Sequence, residues 1–165
     1  MNAPRETGRW RVILGTLALA LGLTQLPWGG AWLAWRPDFL LIALLFWVLY
    51  KPDRVGFGMA FVLGLIADFQ DGVVFGQHAS AYVIAVYIVL FLRLRLMRFD
   101  PLRQAAQLLP VLLLVQTVVL LIGWLAVRPP TSLALMLPAL SGALLWFLVA
   151  LWHRVWHGKA IQGAE

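Results

Sequence analysis

The chain has 165 residues, 62% of them hydrophobic and 12% charged, where soluble domains run at about half and about a quarter. That balance excludes an ordinary soluble globule, and the absence of cysteine excludes a disulfide framework and any Cys-ligated metal. Thirteen Lys and Arg against seven Asp and Glu give a net charge of +6, but the basic residues flank apolar segments and form no patch of their own, which argues against nucleic acid as a partner.

The reading is an all-α integral membrane protein, one membrane domain over residues 1–165 with short tails. A helix needs roughly 20 apolar residues to cross the hydrocarbon core, and six segments are candidates. The first, residues 12–28, is "VILGTLALALGLTQLPW". Its basic start resembles a secretory signal, but the "PWGGAWLAWRPD" that follows is bulky and offers no small-x-small cleavage site. The segment is expected to remain, with Trp28, Trp32 and Trp35 at the outer interface. Gly15, Ala18 and Gly22 are spaced for close helix packing.

The second segment, residues 38–50, is "DFLLIALLFWVLY". It would rise only about 20 Å, so it either crosses as a short span or is re-entrant. Loop charge decides between these. With six crossings and an internal N-terminus, the cytoplasmic segments hold eleven basic residues: Arg5, Arg9, Arg11, Lys51, Arg54, Arg93, Arg95, Arg98, Arg103, Arg154 and Lys159. Only Arg36 and Arg128 are left outside. Without the second crossing, the arginines from Arg93 to Arg103 would face outward. The expectation is therefore six transmembrane helices in one bundle with both termini cytoplasmic.

The third segment, residues 55–69, carries Gly56, Gly58, Ala60 and Gly64, again at spacings that let helices approach. It ends in Asp68 and Asp71, three apart and so on one face, with Gly72 as its stop. The fourth, residues 73–92, is opened by His78 with Tyr82 one turn on. Gly72 and Gly76 bracket "GVVFG", the pattern of a turn; no Lys follows, so it is not a phosphate loop. Asp68, Asp71, Gln77 and His78 thus cluster at the outer mouth of the bundle. They are either solvated groups at a membrane edge or a site for a partner or ion. One His with two Asp is too little for zinc, and no nucleophile is placed beside the His. No catalytic, cofactor-binding or metal-binding residue is expected.

The run "RLRLMRFDPLRQ", residues 93–104, is either a basic anchor on anionic lipid or a docking surface. Asp100 is placed to cap a helix that has Pro101 at its first position. The fifth and sixth segments are residues 108–127 and 132–152, with Pro110 and Pro138 as possible kinks. Gln25, Gln116 and Thr117 are expected to make interhelical hydrogen bonds.

The stretch from Arg36 to Leu92 carries Arg36-Pro37-Asp38, the short apolar helix, the turn from Lys51 to Val55, Gly64, Asp68, Asp71-Gly72 and Gly76-Gln77-His78-Ala79. In that order it resembles the rod shape-determining protein MreD family of Gram-negative bacteria. The remaining segments match as hydrophobic spans only. The resemblance implies a non-enzymatic component of the bacterial inner membrane, multi-pass, that maintains rod shape. It implies work beside MreC, a single-span protein with a periplasmic coiled coil, in a complex linking MreB filaments to elongation-specific peptidoglycan synthases. It also implies a distant likeness to the six-helix substrate-binding subunits of energy-coupling-factor vitamin transporters. Three functions follow for comparison: a structural membrane adaptor, a small-ligand carrier, and an intramembrane enzyme. For the first, Pro37, Asp38, Gly64, Asp68, Asp71, Gly72, Gly76, Gln77 and His78 are the expected structural or partner-binding motif, with membrane lipids as the other contact.

Overall fold

The computed structural model describes the backbone of residues 3–126 and 136–162, and the side chains of residues 10–30, 33–126 and 136–156. The side chains of Arg5, Arg9, Trp32, Arg128 and Lys159, and the first residues expected of the sixth span, lie outside the described residues.

Six α-helices and one 3-10 segment are described, with no strand among the described residues. They are α1 (Ala3–Thr24), a 3-10 segment (Gly30–Trp35), α2 (Phe39–Tyr50), α3 (Phe57–Asp71), α4 (Gln77–Leu96), α5 (Pro101–Ala126) and α6 (Leu137–Gln162). Each expected segment has its helix, but the ends shift. Helix α4 starts four residues after the expected position, because the 73–76 stretch is a glycine-bounded turn. Helix α5 starts at Pro101, directly after Asp100, as the capping pattern predicts. Pro110 lies inside α5, which continues through it. Pro138 is the second residue of α6, where a missing N–H costs nothing, so it kinks no helix.

Four stretches are long and apolar enough to cross a bilayer: Leu33–Tyr50, Gln77–Leu96, Pro101–Ala126 and Leu137–Trp156. The chain is a multi-pass helical membrane protein. Helix α2 itself has 12 residues, a rise of about 18 Å. It reaches spanning length only together with the end of the 3-10 segment and the Arg36–Asp38 linker. It is apolar on every side, and Leu40, Leu41, Ile42, Leu44, Leu45, Val48 and Leu49 are all buried. A helix without a polar face belongs inside, and α2 is enclosed by contacts with α1, α3, α4 and α6.

Helix α3 sorts its faces by size. Ala60, Leu63, Gly64 and Ala67 face inward, while Phe57, Phe61, Val62 and Phe69 are exposed. Large apolar groups outside and small ones at the helix contact are what lipid as solvent favours, since lipid exerts no hydrophobic push on them. Gly64 is the tightest point. A Cβ there would come within 2.3 Å of the Ala79 Cα, so only glycine lets α3 and α4 meet. Ala60 is buried as well, but the remaining small-residue positions make no close approach. Added Cβ atoms at Gly15, Gly22, Gly56 and Gly58 would meet nothing within 4 Å, and Ala18 is exposed.

The interhelical hydrogen bonds also fall elsewhere than expected. Thr117 donates to Leu113 O within its own helix, and Gln25 and Gln116 make no interhelical bond among the described residues. Trp47 Nε1 instead donates to Thr16 Oγ1 at 2.7 Å, and Arg93 Nε to Leu49 O at 2.8 Å. Polar groups beside a helix's own carbonyls satisfy themselves locally; the bonds between helices come from longer side chains that reach across.

Candidate functional site

Helix α3 ends because Gly72 adopts φ +62°, a left-handed conformation natural only to glycine. Val73 N–H then donates to Asp68 O at 3.1 Å and Gly72 N–H to Phe69 O at 3.4 Å, the paired closure that satisfies the last carbonyls of a helix. Gly76, at φ +99°, turns the chain back into α4.

A helix start leaves four N–H groups without partners, and Gly76 has no side chain to cap them. Asp68, on the neighbouring helix, does it. Its Oδ2 accepts from Gly76 N at 2.8 Å and from Ala79 N at 3.5 Å, and its Oδ1 accepts from His78 N at 2.6 Å. The His78 Nδ1 lies 3.0 Å from the same Oδ1; with the carboxyl oxygen as acceptor, that nitrogen carries the hydrogen. Asp68 is fully buried, at 0% exposure. Such a carboxyl group is tolerable inside only because its oxygens are met by donors.

Asp38 works similarly one helix away. Its Oδ1 caps α2 by accepting from Leu41 N at 2.9 Å, and its Oδ2 accepts from the Tyr82 hydroxyl at 2.6 Å. Pro37 holds the preceding Arg36 extended, at ψ 110°, which delivers Asp38 to the helix start. Gln77 Nε2 donates to Val119 O at 2.7 Å, tying α4 to α5.

The remaining charges form the rim. Arg36 Nη2 pairs with Asp71 Oδ1 at 3.0 Å, and its Nη1 donates to Thr24 O at 3.3 Å. His78 Nε2 lies 3.7 Å from Asp71 Oδ2. Asp71 is about one-third exposed, at 33%, and so sits between a guanidinium and an imidazole with room for a further contact. The Thr24 hydroxyl donates to Leu21 O at 2.6 Å and lies 3.3 Å from Gln70 Oε1, which brings α1 up to α3.

These groups surround an open cavity of about 340 Å³ whose wall includes Arg36, Asp38, Asp71, Gln77, His78, Tyr82 and Gln116. The nine motif positions thus divide. Gly64, Gly72 and Gly76 shape the backbone; Asp38, Asp68 and Gln77 hold helices together; Pro37, Asp71 and His78 line the opening. Arg36, Thr24, Gln70, Tyr82 and Gln116 join the site from outside the expected list. Arg36 had a signal as the first residue of Arg36-Pro37-Asp38, Tyr82 as the residue one turn after His78 and Gln116 as an isolated polar residue in an apolar helix; Gln70 and Thr24 had none. Among the described residues no group of three His, Cys, Asp or Glu is placed to hold a metal ion. The arrangement is suited to fixing helix ends and to presenting hydrogen-bonding groups to a polar segment, with Ser80 turned back onto Gln77 O rather than toward His78.

The family model for rod shape-determining protein MreD matches residues 4–156. The chain is also similar to the rod shape-determining protein MreD of Haemophilus influenzae, at 35% identity over 81 residues. That alignment covers 49% of this chain and 50% of the relative, about half the length of each. No solved structure gives a significant match.

Proposed function

The chain belongs to the MreD family of rod shape-determining proteins, and from that premise we propose that it is a non-enzymatic adaptor of the bacterial inner membrane. In this reading it acts with MreC to couple MreB filaments to the elongation-specific peptidoglycan synthases. Six helices form one membrane domain with both termini cytoplasmic. The corner at Asp68 to His78 faces the periplasm, and its rim of Arg36, Asp71 and His78 receives MreC.

The observation that carries the reading is the separation of labour in the corner. Asp68 is buried and spent on capping α4, whereas Asp71, Arg36 and His78 are partly exposed around an opening. Charge supports the orientation. Lys51, Arg54, Arg93, Arg95, Arg98, Arg103 and Arg154 gather at the end of the bundle opposite the corner, which among the described residues has Arg36 alone. Basic residues concentrate on the cytoplasmic side of membrane proteins. Mild-detergent purification of the tagged protein from its own cells, with mass spectrometry of the eluate, tests this. MreC and wall synthases are expected.

One observation favours a second reading. The cavity is open and holds Gln116, which has no hydrogen-bond partner among the described residues, so a small polar ligand could be held as in a transporter's substrate-binding subunit. An ATPase pair and a transport subunit in the same eluate would favour that carrier role over the adaptor.

A further inference from the structure

A second cavity, of about 480 Å³, lies at the opposite, basic end between the α4–α5 turn and the last turns of α6. Its size falls in the range of roughly 300–1,000 Å³ that accommodates small ligands. Arg98 and Arg154 stand on its two sides, Asp100 and Gln104 on its wall, and Tyr50 and His153 stack beneath with ring centroids 4.2 Å apart.

Its charge is one-sided. Asp100 is already engaged by Arg103, with Nε 3.3 Å from Oδ1. Arg98 and Arg154 have no carboxylate partner among the described residues. Gln104 braces the turn that bears Arg98. Its Nε2 donates to Leu96 O at 3.0 Å and to Phe99 O at 3.2 Å, which fixes the amide across the turn. The side chain is only 6% exposed. Its Oε1 is wholly enclosed beside the Tyr50 hydroxyl, so the amide stiffens the pocket wall rather than facing the opening. The pocket therefore asks for an anion set against two arginines.

We propose that this pocket binds the headgroup of an anionic phospholipid, its phosphodiester against Arg98 and Arg154. A lipid rather than free phosphate fits the position. The pocket lies where apolar helix surfaces end, and Leu102 and Trp152, next in sequence to its lining, are strongly exposed and available to acyl chains. Basic pockets between helices at the cytoplasmic surface are the usual seats of such headgroups. Only the leaflet that supplies the lipid rests on the orientation proposed above; binding itself does not.

Native mass spectrometry of the full-length protein in detergent, titrated with phosphatidylglycerol, tests this. The Arg98→Gln/Arg154→Gln double variant is expected to bind it about tenfold more weakly. An Arg11→Gln/Lys51→Gln variant, which removes the same charge from the same end, is expected to bind as the wild type does. Equal loss in the two double variants would reduce the effect to bulk charge and overturn the site. Displacement of the lipid by excess inorganic phosphate would overturn the lipid as the occupant.

Discussion

Asp68 and Asp71 are three residues apart and chemically the same, yet the structure gives them opposite tasks. Asp68 meets the N–H groups of Gly76 and His78 and is wholly enclosed. Removing its carboxyl leaves both donors unmet, at about 1–3 kcal/mol for each buried group. Asp68→Ala is accordingly expected to lower stability in detergent by roughly 2–4 kcal/mol, read as the midpoint shift in SDS titration. Asp71→Ala loses a partly exposed ion pair and is expected to cost under about 1 kcal/mol. Equal losses would mean that the capping role assigned to Asp68 is wrong. The sequence reading placed both acids together with His78 on one edge, and the structure does bring the three together. It could not tell the buried acid from the exposed one, because that depends on which carboxyl the start of α4 meets, and the meeting is set by Gly64 in the middle of α3.

At the scale of the helices, that glycine is the decisive residue. An added methyl group at Gly64 would sit 2.3 Å from backbone of α4, and backbone cannot rotate away as a side chain can. Overpacking typically costs about 1–3 kcal/mol, and here more than about 3 kcal/mol is expected for Gly64→Ala, since two helices must part. Gly58→Ala, on the same helix in open space, should be neutral or stabilising by up to about 1 kcal/mol through better helix propensity. Unfolding curves of the two variants side by side check this; similar destabilisation by both would argue against a close α3–α4 contact. Small-residue spacing pointed equally to Gly15, Gly22, Gly56, Gly58 and Gly64. Only one of the five is at a close approach, because spacing marks a face without saying what lies opposite it. The existence of the helices was legible from hydropathy alone, and the starts of α4 and α5 differ in how well they were placed for a physical reason. Asp100-Pro101 is a local signal for a helix start, whereas α4 is capped by a residue ten positions earlier on another helix.

For the whole molecule, the short α2 is the point on which the topology turns. Buried on all sides by four neighbours, it does not need to match the bilayer with its own length, and the extended Arg36–Asp38 linker and the 3-10 segment make up the difference. Loop charge, read from the sequence, assigns the end bearing Lys51 to the cytoplasm and the end bearing Gln77 to the opposite side. Reporter fusions after Lys51 and after Gln77 are expected to report inside and outside respectively. Both reporting inside would remove α3 as a crossing and place the corner in the cytoplasm.

The central claim is that the Arg36–Asp71–His78 rim receives MreC. It is tested most directly by placing a photo-crosslinking amino acid at Asp71 in the full-length protein, in its own cells, with a second probe at Arg103 on the opposite end for comparison. The account predicts a covalent adduct with MreC from position 71 and none from position 103. An adduct from position 103 with none from position 71, at equal expression, would contradict it and move the partner to the basic face.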